Sequence, residues 1–225
     1  MFNRTMLYVL SIIITMIFFN ACSNNDYIIK INNETILKQE FDLYLLKGKE
    51  YFESQGGEDI WQTKIDGEDA KTVLKNSVLD TVIRTKIQAA VAKKKNINLD
   101  VEEKKQLNDT VEKYIEQANS KKRFSRENVE KFVRDNMIVV KLYNSETQNV
   151  EITDQMFNDY LKENGNNSTS DISNEEREKI KEDFYNSKRN ELFEQKYNEW
   201  KKEYRIEINN KELNEIVIVE NGKRE

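Results

Sequence analysis

A mainly α-helical domain, with one small β element joining its two ends, is the fold class this sequence predicts. The 225-residue chain has no proline, where average usage would give roughly eleven, so nothing in it removes a helix donor or forces a helix to stop. Apolar residues return at i, i+3 and i+4 through most of its length, the spacing of buried helix faces. Only two short segments, Tyr27–Ile31 and Tyr204–Ile208, have the β-branched or period-two character of strands. Two lone strands are stable when they pair, which would bring the ends of the domain together.

Composition narrows the chemistry. There is no histidine and one cysteine, so no Ser-His-Asp or Cys-His nucleophile system, no His-ligated zinc and no internal disulfide can be built. The net charge of -5, a pI near 5.2 and the lack of a basic stripe argue against nucleic acid as a partner. A mean hydropathy of -0.83 describes solvated helices, while 10% aromatic residues are too many for a disordered polyelectrolyte.

The elements follow in chain order. Arg4 precedes a 14-residue apolar run, Met6 to Phe19, too short for a membrane span of about 20 residues and suited to the apolar region of a secretory signal. It ends at Ala21-Cys22, so residues 1–21 read as a signal peptide and Cys22 as the first mature residue, followed by a polar tether over 22–26. Removing 1–21 deletes only Arg4 from the charges, leaving 35 cationic against 41 acidic residues, a net of -6. Tyr27–Ile31 is a strand that turns at Asn32-Asn33 and returns at Thr35-Ile36. Phe41, Tyr44, Leu45, Gly48 and Phe52 mark one buried face of a helix ending at Gly56-Gly57. Ile60, Trp61 and Ile65 lie in a loop that Asp66-Gly67-Glu68-Asp69 closes.

From about Ala70 to Lys94 runs the most apolar helix. Ala70, Leu74, Val78 and Val82 form one face and Leu79, Ile83, Ile87 and Val91 another, so neighbours must cover it on two sides. Asp100 with Glu103 has capping-box spacing before a helix that points Leu107, Val111, Tyr114, Ile115 and Ala118 inward. Ser125 caps the next helix between the staple residues Phe124 and Val129, with Phe132, Val133, Met137, Val140 and Tyr143 at core spacing. Thr153 caps a shorter one between Ile152 and Phe157 that runs to about Glu163. After a polar linker, Gly165 to Asp171, the pair Ser173 and Glu176 opens a helix of about thirty residues with Phe193, Tyr197, Trp200 and Tyr204 on one stripe.

Chemistry-bearing constellations are sparse. The acidic pairs Glu102-Glu103 and Glu175-Glu176 fall in first helical turns, where carboxylates complement the helix dipole, and Lys93 to Lys95 complement the opposite end of the long helix. No Gly-x-x-x-x-Gly-Lys or Gly-x-Gly-x-x-Gly occurs, so no cofactor is expected and no catalytic residue stands out. Tyr44, Tyr51, Phe52 and Trp61 cluster beside a loop and are the candidate apolar contact surface.

The order of these motifs resembles the SurA/PrsA family of extracytoplasmic folding factors. Ile31-Asn32-Asn33-Glu34-Thr35-Ile36 followed by Glu40-Phe41 is similar to the family's Val-Asn-Gly-Glu-x-Ile-Thr-x-x-Glu-Phe opening. Ala89 to Lys93, Asn98 to Glu103, Phe124 to Val129, Met137 to Tyr143, Ile152 to Asp154 and the final helix running into Tyr204 to Ile208 agree with it in order. Leu37 stands where a capping Thr or Ser is usual, and Asn33 where a turn glycine is. Phe19-Asn20-Ala21-Cys22 likewise resembles the lipobox of bacterial lipoproteins, which implies a diacylglyceryl thioether on Cys22 and a place on the outer face of the cell membrane.

The resemblance implies a chaperone body over 27–209, with 210–225 as a C-terminal tail. The family's parvulin prolyl-isomerase domain, commonly inserted between the last two helices, is replaced here by the linker 165–171. Expected partners are unfolded exported polypeptides, bound at Tyr44, Tyr51, Phe52 and Trp61 without isomerase activity. The alternative is a noncatalytic scaffold lipoprotein that docks one envelope partner.

Overall fold

The computed structural model describes residues 27–117, 124–163 and 173–218. The signal segment, Cys22, the tether, Ala118, the linker 165–171 and residues 219–225 lie outside them.

Strand β1 (Tyr27–Ile31) turns into β2 (Glu34–Leu37), and the late strand β5 (Ile206–Ile208) pairs antiparallel on the other side of β1, giving the order β2-β1-β5. The two ends of the domain therefore meet, as the lone strands required. A register irregularity between Tyr27 and Ile29 accompanies the complete burial of both Ile28 and Ile29, which strict alternation would not allow. The turn residue with positive φ is Asn32 (φ 52), not Asn33. Asn32 holds this conformation because its side-chain oxygen accepts the Arg205 N–H at 2.8 Å while its own N–H reaches the Arg205 carbonyl at 2.9 Å. One asparagine thus serves both the hairpin and the entry of β5.

Helix α1 (Lys38–Gly56) starts at Leu37 in extended backbone with no side-chain cap. It ends at Gly57, whose φ of 65 suits a residue without Cβ. A short 3-10 helix, Glu58–Gln62, follows. The segment expected to be loop is in part a hairpin of two-residue strands, β3 (Lys64–Ile65) and β4 (Glu68–Asp69). Asp66 (φ 51) and Gly67 (φ 88) supply the left-handed pair that a two-residue turn needs. Asp69 then caps α2 (Ala70–Lys94) by accepting the Lys71 N–H at 2.9 Å.

Helix α2 is the axis of the body. It packs against α1 on one side, and on the other against α4 (Arg126–Thr147) and the second half of α6 (Asn174–Lys201). This is why both of its apolar faces, from Ala70 to Val82 and from Ile83 to Val91, are buried. At the α1–α2 crossing a Cβ on Gly48 would stand 2.8 Å from both Leu74 Cδ1 and Val78 Cγ2, so glycine sets how closely the helices approach. Helix α3 (Val101–Gln117) opens with the reciprocal box: the Glu103 N–H donates to Asp100 Oδ1 at 2.9 Å and the Asp100 N–H to Glu103 Oε2 at 2.8 Å. It packs on α4 through Leu107, Val111 and Tyr114, whose ring meets Phe132 edge-on at 5.8 Å. Ser125 caps α4 through the Asn128 N–H at 3.2 Å. Val140, placed inward by spacing, is 60% exposed, because that side of α4 has no helix against it.

Helix α5 (Asp154–Glu163) and the first half of α6 build a separate small core from Phe157, Leu161 and Phe184, with Ile152, Tyr160 and Ile180 around it. The second half of α6 joins the main core through Phe193 and Tyr197. Glu146 on α4 fastens that half, accepting Lys196 at 2.6 Å and Lys95 at 2.6 Å. Burial would raise the Glu146 carboxyl, but the two ammonium groups outweigh it and hold its pKa below the usual range. Beyond β5 the chain does not trail off as a tail. Helix α7 (Asn210–Asn214) and the turn after it return Leu213, Ile216 and Ile218 to the main core, so packed structure extends past 209.

Candidate functional site

Helix α1 decides the fate of the four candidate aromatic residues. Tyr44 and Tyr51 are seven residues apart and so nearly in line along the helix, yet full burial is confined to the first half, at Glu40, Phe41, Leu43, Tyr44 and Leu45. Tyr44 meets Phe132 edge-on at 4.7 Å and is 4% exposed. It is a core residue here, not a contact for clients. Tyr51, on the second half of α1, is 63% exposed, although Gly48 and Phe52 of that half still pack against the main body.

Trp61 is also buried. The 3-10 helix folds it back under α1, where its indole N–H donates to Glu53 Oε1 at 3.0 Å. Its ring lies parallel to that of half-buried Phe52 at 6.1 Å, and Phe52 meets Tyr51 edge-on at 6.4 Å. The four residues therefore form no common open surface. Three of them make a ladder, from Trp61 inside through Phe52 to Tyr51 in water.

Spacing alone did not reveal a cluster of five charged side chains under the hairpin. Lys86 on α2 is 1% exposed and ion-paired to Glu40 on α1, to Asp135 on α4 and, at 3.5 Å, to Glu34 on β2. Lys131, one turn from Asp135 on α4, reaches Glu34 at 2.9 Å and Glu40 at 3.1 Å. Two cations thus face three carboxylates. Burial pushes the Asp135 carboxyl above its ordinary range, only partly countered by Lys86, with Glu34 and Glu40 adding to the rise. At Glu34 burial acts the same way but the hydrogen bond from Lys131 and the charge of Lys86 prevail, so its pKa is lowered. Burial opposes the Lys131 charge, yet Glu34 and Glu40 carry its pKa upward. The Tyr44 hydroxyl, buried beside this acidic group, is raised by burial first and by Asp135, Glu40 and Glu34 next. The visible signal was Lys86 set between Ile83 and Ile87 on an apolar helix face, together with Glu34 and Glu40 in the opening motif.

This cluster ties β2 and α1 to α2 and α4. Among the described residues no group of three His, Cys, Asp or Glu side chains could hold a metal ion, and no helix is long and apolar enough to cross a membrane.

The hairpin, the α1–α2 crossing, α3 and the capped start of α4 occupy residues that a known domain covers. Residues 3–133 match the family model described as the SurA-like N-terminal domain. The chain belongs to that family. Among curated proteins, the foldase protein PrsA of Caldanaerobacter subterraneus subsp. tengcongensis is 27% identical over 142 residues, covering 62% of this chain and 43% of the relative. The chain thus spans less than half the length of that relative. No solved structure matches the chain significantly. Family and relative together point to a chaperone-type role for this SurA-like chain, and residues 164–173 alone connect α5 to α6.

Proposed function

We propose that this SurA-like protein is anchored by lipid on Cys22 at the extracytoplasmic face of the cell membrane and holds unfolded exported polypeptides there without isomerising prolines. The observation that carries the holding role is the aromatic ladder at the second half of α1, with Tyr51 in water and Phe52 half-open behind it. Trp61 and Glu53 brace the ladder, and Tyr44 anchors the helix on which it stands.

Covering Tyr51 and the open edge of Phe52 with a client's apolar side chains gains roughly 25 cal/mol per Å². Ordering a flexible chain offsets much of that gain, so affinity falls in the micromolar range rather than the nanomolar. Such contact is tolerant of sequence, as a holder of many clients requires. The anchor rests on the apolar run that ends at Ala21-Cys22; two acyl chains on one residue hold firmly where one would be marginal.

The test is light scattering of a denatured client at rising ratios of residues 23–225, which include every residue of both cores, alongside a proline-limited refolding reaction. Scattering falls with the unaltered chain and falls less with Tyr51→Ser, while the refolding rate does not change. Unchanged scattering at several-fold excess over a range of clients supports a scaffold that docks one partner, and faster proline-limited refolding overturns the noncatalytic half.

A further inference from the structure

The α5–α6 pair leaves open a cleft of about 650 Å³, within the size range of natural binding pockets. Its floor is apolar: Val150 and Ile152 from the approach to α5 and half-buried Tyr185 from α6. Its rim is acidic. Glu175, Glu178 and Glu182 stand at i, i+3 and i+7 on α6, hence on one face and about 4.5 and 6 Å apart along the axis. Among the described residues none of these three carboxylates is ion-paired or hydrogen-bonded through its side chain. Lys179 and Lys181 also line the cleft; the Lys181 ammonium is directed at Asp154, 3.9 Å away, so the three carboxylates outnumber the one remaining ammonium, that of Lys179. All lining residues lie beyond the range 3–133 that the family model matches.

We infer that the α5–α6 cleft is a second contact site, which takes extended polypeptide segments carrying Lys or Arg next to an apolar side chain. This rests on the client-holding role proposed above and specifies one class of client for it. The floor accepts the apolar side chain, and the unpaired carboxylates accept basic ones. In an extended segment, residues two apart are about 6.6 Å apart, close to the spacing of Glu178 and Glu182 along α6, so alternate basic residues meet successive acids. The small core of Phe157, Leu161 and Phe184 holds the cleft walls together without filling the cleft itself.

The experiment is fluorescence anisotropy of two labelled peptides, one alternating Leu and Lys and the other alternating Leu and Glu, titrated with residues 23–225. The basic peptide binds more tightly, and its binding weakens several-fold as salt is raised to about 0.5 M. The triple variant Glu175→Gln, Glu178→Gln, Glu182→Gln alters only exposed side chains and lowers affinity for the basic peptide by about tenfold, as three exposed ion pairs of about 0.5 kcal/mol each would require. Val150→Ser, outside the small core, weakens the basic peptide while leaving its salt dependence. Equal binding of the two peptides, or unchanged affinity in the triple variant, overturns the cleft assignment while aggregation suppression by the unaltered chain stands. Absence of that suppression instead overturns the client-holding role, so the two failures are distinguishable.

Discussion

Replacing Lys86 with methionine removes the cation at the centre of the buried cluster while keeping most of the side-chain volume. Lys86 is ion-paired to Glu34, Glu40 and Asp135, and Lys131 reaches only the first two. The substitution therefore strips Asp135 of its ion-pair partner among the described residues and leaves three carboxylates facing one ammonium. Breaking a buried pair by removing one member costs about 3–5 kcal/mol. Domains of this size have about 5–15 kcal/mol in total, so the variant remains folded but marginal. In urea, monitored by the fluorescence of Trp61 and Trp200, the midpoint falls by about 2 M for a slope near 2 kcal/mol/M.

The loss also has a pH signature. The Asp135 pKa in the fold already lies above its ordinary value, so the folded state binds the extra proton and stability falls as pH rises through that pKa. Removing Lys86 removes the largest influence holding that pKa down, widening the gap between folded and unfolded values. The deficit of Lys86→Met relative to the unaltered chain is thus larger at pH 7 than at pH 5. Adding Asp135→Leu recovers part of it, because the stranded charge goes too. A midpoint within about 0.5 M of the unaltered chain at pH 7, with no change in the deficit between the two pH values, would refute this account of the cluster.

Truncation after Lys202 removes β5 and α7 and leaves Ile29 and Ile31 without their partners, so hydrogen exchange over residues 27–31 speeds up; unchanged protection would contradict the pairing. Gly48→Val forces side-chain atoms into the 2.8 Å approaches of Leu74 and Val78 and lowers stability by about 1–3 kcal/mol in the same urea assay, as overpacking does. Cys22→Ala abolishes incorporation of labelled fatty acid and delays processing of residues 1–21 in cells; undiminished labelling would place the anchor elsewhere.

Most of the scaffold was legible because it is encoded locally. A cap such as Ser125 or the Asp100–Glu103 box needs only residues three apart, and the two faces of α2 can be counted along the chain. Pairing of β1 with β5 was legible for a different reason: Tyr204–Ile208 alternates like a strand but has no strand beside it in sequence, so its partner had to be distant. What escaped depends on neighbours distant in sequence. Asn32 rather than Asn33 takes positive φ because Arg205 arrives to bond it. Val140 follows core spacing on α4 but meets no helix on that side. Of the aromatic residues near α1, periodicity tells which share a face, but not that full burial along the helix stops at Leu45, which separates buried Tyr44 from open Tyr51. The charge cluster combines four elements, and no window along the chain contains it.

The pairing of β1 with β5 also orders events in time. Asn32 and Arg205 are 173 positions apart, and a chain exported amino end first delivers β1 at the start and β5 near the finish. The β1–β2 hairpin can settle on α1 and α2 early, because those contacts are close in sequence, but one flank of β1 stays open until β5 is available. For a chain exported as proposed above, the final step of folding is therefore also a report that export is nearly complete. A stalled or truncated chain would display an unpaired strand edge, the kind of feature that quality-control proteases and aggregation both act upon.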